Sequence, residues 1–148
     1  MTSSSEINQI LKLNSHFLGC YSPAQLPSSL PSSFPKSLIV NTISSHQKIG
    51  HWTVVFMRNE KECFYFNPLG GKLLCANLIK FLSPLYSFVY YSDIAIQSLS
   101  SKNCALFCIY FIENVSSKRD YIRLIKRFSH ENLKQNDNFM YNYVYGKI

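Results

Sequence analysis

Near the start of the chain, apolar residues fall at Ile7, Ile10, Leu11 and Leu13 behind a run of serines. That spacing, with hydroxyl residues ahead of it, predicts a short capped amphipathic helix. Residues 19 to 37 hold prolines at 23, 27, 31 and 35 among many serines and predict an irregular loop. "SLIVNTI" (37–43), "HWTVVFM" (51–57) and "ECFYFN" (62–67) are rich in β-branched and aromatic residues and predict strands. The polar "RNEKE" between the last two makes them a hairpin, and "NPLGG" after it is a sharp turn. "KLLCANLIKFL" (72–82) has helical spacing, and "YSFVYY" (86–91) and "DIAIQS" (93–98) predict two further strands. "CALFCIYFIENV" (104–115) is apolar nearly all round, which predicts a helix inside the fold. "RDYIRLIKRFS" (119–129) predicts a basic amphipathic helix and "NDNFMYNYVY" (136–145) another. A helix and a loop, a strand-rich centre, then a buried helix and two more helices make an α+β arrangement around a mixed central sheet. No repeat and no long linker interrupts it, so residues 1–148 are expected to form a single domain.

Composition narrows the class. With 148 residues, 47% apolar and 15% aromatic, the chain can bury a real core and is not a disordered sequence. The polar start "MTSSSEINQILKLNS" has no apolar signal region, so secretion is not expected. The apolar stretch "NCALFCIYFI" is about ten residues, too short to cross a bilayer, so no membrane association is expected. Five cysteines with no C-x-x-C pair argue against a disulfide scaffold or a metal site and for a reducing compartment. A net charge of +7 suggests attraction to a polyanion or an acidic partner, and equally describes an ordinary basic protein.

The chemistry concentrates at element boundaries. Cys104 opens the predicted buried helix, where the helix dipole and free N–H groups lower a thiol's pKa and favour thiolate. The polar "SSKN" before it places Cys104 near a surface, although any one cysteine is more often a core residue. A thiolate nucleophile needs a base, and the base an orienting group. Of four histidines, only His51 starts a strand directly. Asn67 ends the neighbouring strand of the same hairpin and is placed to fix the imidazole tautomer; alone it would read as an Asn-Pro turn opener. Gln97, seven residues before Cys104, offers a side-chain N–H that with the Cys104 backbone N–H would form an oxyanion hole; alone it is a polar strand-end residue.

These residues resemble the adenovirus-type cysteine endopeptidases, the adenain family, in a clan shared with proteases of SUMO and other ubiquitin-like proteins. The resemblance covers nearly the whole chain. It runs through "SEINQILK", "FLGCYSPAQLP", "IVNTISSHQKIGHW" and "CFYFNPLG" to its most specific part, "QSLSSKNCALFCIYF". There the spacing from Gln97 to Cys104 and the second cysteine, Cys108, agree with the family. The resemblance implies Cys104 as nucleophile, His51 as general base, Asn67 as orienter and Gln97 in the oxyanion hole. It implies a viral enzyme that cuts virion precursor proteins near small residues such as Gly, and a monomer is expected. Its expected place is the nucleus or cytoplasm of the host cell and the virion.

Two replacements set the chain apart. Asn67 stands where the family has Glu or Asp, and Asn orients a ring without stabilising an imidazolium by charge. Ala105 stands where a Gly normally follows the nucleophile. No cofactor is needed for the chemistry, but the family uses DNA and an activating peptide. The cysteine that tethers that peptide would fall near Tyr86, so a covalent tether is not expected. Arg119, Arg123, Lys126 and Arg127 lie close together on the predicted basic helix and are the candidate DNA contacts. Two rival readings remain: a ubiquitin- or SUMO-like deconjugase with the same site, and a catalytically dead, basic nucleic-acid-binding virion protein.

Overall fold

The computed structural model describes residues 3–42, 50–99 and 101–146. Four strands lie side by side in chain order: β1 (Phe17–Tyr21), β2 (Lys36–Thr42), β3 (His51–Met57) and β4 (Cys63–Phe66). β1 runs parallel to β2, whereas β2–β3 and β3–β4 are antiparallel, so the sheet is mixed. The helices are α1 (Ser4–Ile10), α2 (Ala76–Leu82), α3 (Cys104–Asn114), α4 (Lys118–Arg127) and α5 (Leu133–Tyr145). The class is α+β, as the pattern predicts.

Strand alternation divides the apolar residues into two cores. Ile39, Trp52, Val54, Phe56, Phe64 and Phe66 face α3, α4 and α5. Leu38, Val40, Val55, Met57, Cys63 and Tyr65 face the other way, onto Leu78 and Leu82 of α2. Because both faces are covered, β3 and β4 are almost continuously buried rather than alternating apolar and polar. α3 is sunk in the first core, with every residue from Cys104 to Ile112 buried. Full burial of an aliphatic or aromatic side chain contributes about 1.5–3 kcal/mol. Leu106, Phe107, Ile109 and Phe111 therefore fix firmly the helix that carries Cys104.

Several predicted elements differ. The expected strands at 86–91 and 93–98 are absent; only Tyr90 bridges to Phe64, exchanging bonds with Tyr65 N and Cys63 O. The segment instead crosses the sheet edge once and hydrogen-bonds to the turn after β4, where Ile96 N and Gln97 N share the Pro68 carbonyl. The irregular loop begins later than expected because Phe17–Tyr21 pairs with β2, and a short 3-10 turn follows at Pro23–Gln25. α2 starts only at Ala76, not at Lys72. α5 starts earlier than predicted because Asn132 caps it, accepting from Gln135 N. Ile43 and His46 lie outside the described residues.

Candidate active site

The site begins where β3 and β4 come together. β3 pairs Val54 with Phe66, so position 67 falls across from 53, and Asn67 becomes the same-face diagonal neighbour of His51. His51 Nε2 lies 2.6 Å from Asn67 Oδ1. The same oxygen accepts the Leu69 backbone N–H at 3.0 Å. A backbone N–H only donates, so the atom facing it is the amide oxygen, and the ring nitrogen facing that oxygen must carry a proton. Neutral His51 is thus the Nε2–H tautomer, with its lone pair on Nδ1. Burial holds the imidazole pKa below its ordinary value, against the Asn67 hydrogen bond, which raises it. Stacking of Phe66 on Phe111, with ring centroids 4.6 Å apart, ties the end of β4 to α3.

The residue after His51 meets the thiol. Trp52 N donates to Cys104 Sγ at 3.5 Å, and Trp52 O accepts from Cys108 Sγ at 3.3 Å. The backbone of one β3 residue is therefore held on both sides by two cysteines one helical turn apart, which gives the second cysteine of the motif a structural role. Asn103, ahead of α3, makes no side-chain cap; its carbonyl takes Leu106 N, and the Cys104 and Ala105 N–H groups are left for other acceptors. Backbone N–H groups of Trp52, Ala105 and Cys104 favour the Cys104 thiolate, but burial is the larger influence and pushes its pKa up. Cys104 is only 3% exposed. The expected near-surface, low-pKa thiolate is thus corrected: Cys104 is buried, and desolvation outweighs the helix start. Burial alone pushes Cys20 and Cys63 up to about 12, and burial with the neighbouring Cys104 and Cys20 pushes Cys108 well above its ordinary value.

Gln97 is 2% exposed and lies in the irregular segment before α3. Its Nε2 donates to Ser101 O at 3.2 Å, which identifies the nitrogen; its second N–H has no hydrogen-bond partner among the described residues. Its Oε1 is buried without a hydrogen-bond partner. Two buried residues of α5 that sequence reasoning missed hold this segment. Asn136 Nδ2 donates to Ile96 O at 2.9 Å and Ser129 O at 2.6 Å, while its Oδ1 accepts Ser129 N at 3.0 Å. Burial pushes the Asp137 carboxyl pKa up, against the Ser98 backbone N–H and the Ser101 hydroxyl, which lower it, and its Oδ1 has no hydrogen-bond partner. In sequence the two sit in an ordinary polar stretch, "NDN", with no signal of which way they point.

His16 binds Ser37 Oγ at 2.8 Å, and His130 binds Ile125 O at 2.7 Å. Neither is drawn into the cluster around Cys104. Arg119, Arg123, Lys126 and Arg127 are exposed on α4, opposite its buried Tyr121, Leu124 and Ile125. The Arg127 guanidinium lies over the Phe139 ring, 5.1 Å from its centroid. Among the described residues no group of His, Cys, Asp and Glu has a metal-binding arrangement, and no helix is long and apolar enough to cross a membrane.

No protein-family model matches the chain, and no curated protein matches it. Among solved structures it is similar to the selenomethionine form of the ASFV pS273R protease, at 18% identity and a TM-score of 0.48. The likeness covers 74% of this chain and 42% of that one, so the chain spans well under half of that protease's length.

Proposed function

We propose that the chain is a viral cysteine endopeptidase of the adenain type, cutting virion precursor proteins next to small residues. The observation that supports this best is the relay Leu69 N–H to Asn67 Oδ1 to His51 Nε2, with Trp52 N–H on Cys104 Sγ. It gives the imidazole one tautomer and anchors base and thiol on adjacent residues of β3.

In this reading His51 Nδ1 takes the Cys104 proton as sulfur attacks the scissile carbonyl. A C–S bond forms and the carbonyl electrons move to oxygen. The Cys104 backbone N–H and the second N–H of Gln97 are the donors for that oxyanion. Collapse breaks the C–N bond, and His51 returns the proton to the leaving amine. Water then attacks the thioester with His51 again as base, releasing the acid and restoring the thiol. Asn67 orients His51 throughout but carries no charge to stabilise the imidazolium.

DNA bound along Arg119, Arg123, Lys126 and Arg127 and an untethered activating peptide complete the reading as accessory partners. The test is incubation with candidate virion precursors, followed by sequencing of the new termini. New termini next to Gly or another small residue, absent with Cys104→Ala, are the expected result. Reaction with a ubiquitin-like vinyl sulfone but no cleavage of precursors would favour deconjugation instead, and no selective Cys104 chemistry would leave a dead fold.

A further inference from the structure

We infer that Asn136 and Asp137 are positioning residues of the oxyanion hole, acting through Gln97; the assignment rests on the protease reading above. Gln97 lies in a segment with no helix or strand, so side-chain and turn hydrogen bonds must fix its place. On one side the Pro68 carbonyl, next to Asn67, takes both Ile96 N and Gln97 N, at 2.9 and 3.0 Å. On the other side consecutive residues of α5 grip the two neighbours of Gln97. Asn136 holds the Ile96 carbonyl, and Asp137 holds the Ser98 N–H.

Asp137 also binds the Ser101 hydroxyl, and the Ser101 carbonyl receives the Gln97 amide. The same Ser101 hydroxyl accepts Asn103 N at 3.0 Å, the residue before Cys104. One acid therefore touches the support of the Gln97 side chain and the lead into the nucleophile. Both α5 side chains are nearly buried, at 3% and 8% exposure. The Asn136 amide is satisfied by Ile96 O and by both backbone groups of Ser129, whereas Asp137 Oδ1 has no hydrogen-bond partner, so the firmer hold on the backbone before Gln97 is that of Asn136. α5, which contributes no atom to the reaction, thus sets the aim of the second Gln97 N–H. Geometric tolerance there is small, since a displacement of about 1 Å can cost up to about a hundredfold in rate.

The test separates the hole from the thiol. Acyl transfer needs the hole, whereas alkylation of Cys104 by chloroacetamide does not. With an N-acylglycine p-nitrophenyl ester as substrate, Asn136→Leu should lower kcat about ten- to a hundredfold while KM changes less than about threefold. The rate of Cys104 alkylation, followed by the mass of its peptide, should stay within about twofold. In a Gln97→Ala background, Asn136→Leu should cost almost nothing further, because both act through one amide. Asp137→Ala gives the same pattern through Ser98 and Ser101 should Asn136→Leu fail to fold, and Asp137→Asn, which keeps an acceptor, should recover most of the rate. Full additivity with Gln97→Ala, or alkylation slowed as much as acyl transfer, overturns the assignment while leaving the protease reading standing. A parent protein that turns over no ester overturns both.

Discussion

Asn67 uses one oxygen for two tasks: Oδ1 accepts the Leu69 backbone N–H at 3.0 Å and faces His51 Nε2 at 2.6 Å. The turn that ends β4 and the tautomer of the base are therefore set by the same atom. The two readings open for Asn67 in the sequence, turn opener and orienter, describe one arrangement. Gln97 mirrors it, its amide turned by a backbone carbonyl, Ser101 O, instead of an N–H.

Removing that atom should leave a working but misdirected base. Asn67→Ala should lower kcat/KM by roughly tenfold to a thousandfold, well short of His51→Ala or Cys104→Ala. Asn67→Asp keeps the acceptor and adds a charge that favours the imidazolium, so it should retain activity. An Asp variant as inactive as His51→Ala would show that the residue does not act by orienting the ring.

The pH dependence follows from two groups whose pKa values desolvation moves apart. His51 lies below its ordinary 6.5 and Cys104 above its ordinary 9.0. The kcat/KM profile should therefore be flat between about these values, with its acid limb below 6.5 and its alkaline limb above 9.0. An acid limb above 6.5 would contradict a His51 pKa lowered by burial. The same shift bears on stability. His51 and His16 are both lowered by burial, so the folded state resists protonation. Their stability contribution is present above 6.5 and is lost as pH falls through the folded values. Denaturant midpoints should drop on acidification below pH 6.5, and less steeply in His51→Gln.

Gly70 should be the costlier of the paired glycines to replace. It has φ +80°, and a Cβ there would lie 2.5 Å from Asp93 O; Gly71, at φ +116°, has open space. Left-handed backbone costs a non-glycine residue about 1–2 kcal/mol at either position. Only Gly70→Ala adds a clash with the segment leading to Gln97. Its thermal midpoint should fall by several degrees more than that of Gly71→Ala, at about 2–4 °C per kcal/mol for a chain of this size. Equal losses would show that the approach to Asp93 is loose.

Much of this was legible in the chain itself. His51, Asn67, Gln97 and Cys104 stand at element boundaries in an order that packing does not require, and the hairpin between β3 and β4 is written in apolar and polar runs. The segment 86–98 was misread because Tyr, Val and Ile favour strands in general, while its backbone partners, Pro68 O and Cys63 O, are fixed by tertiary structure. β1 was missed because its five residues are all half-buried and show no alternation. The reversal of the Cys104 pKa was hidden for a related reason: a helix start is visible in sequence, but the depth at which it is buried is not.

Sequence-independent DNA binding through α4 should show a log–log salt slope near −3 to −4 if about four phosphates are engaged. Replacing Arg119, Arg123, Lys126 and Arg127 by Gln should flatten the slope and reduce DNA-stimulated cleavage while basal cleavage holds. An unchanged slope would place the DNA elsewhere on the surface, and no binding by the parent at low salt would remove DNA from the account.

The central claim is that Cys104 is the nucleophile and His51 its base. Acid-quenching the reaction with an N-acylglycine p-nitrophenyl ester and measuring the masses of its peptides tests this directly. The account predicts one acyl group, on the peptide containing Cys104, lost in Cys104→Ala and strongly reduced in His51→Ala. Acylation of the half-buried Cys20 or Cys75 instead, or turnover undiminished in Cys104→Ala, would contradict it.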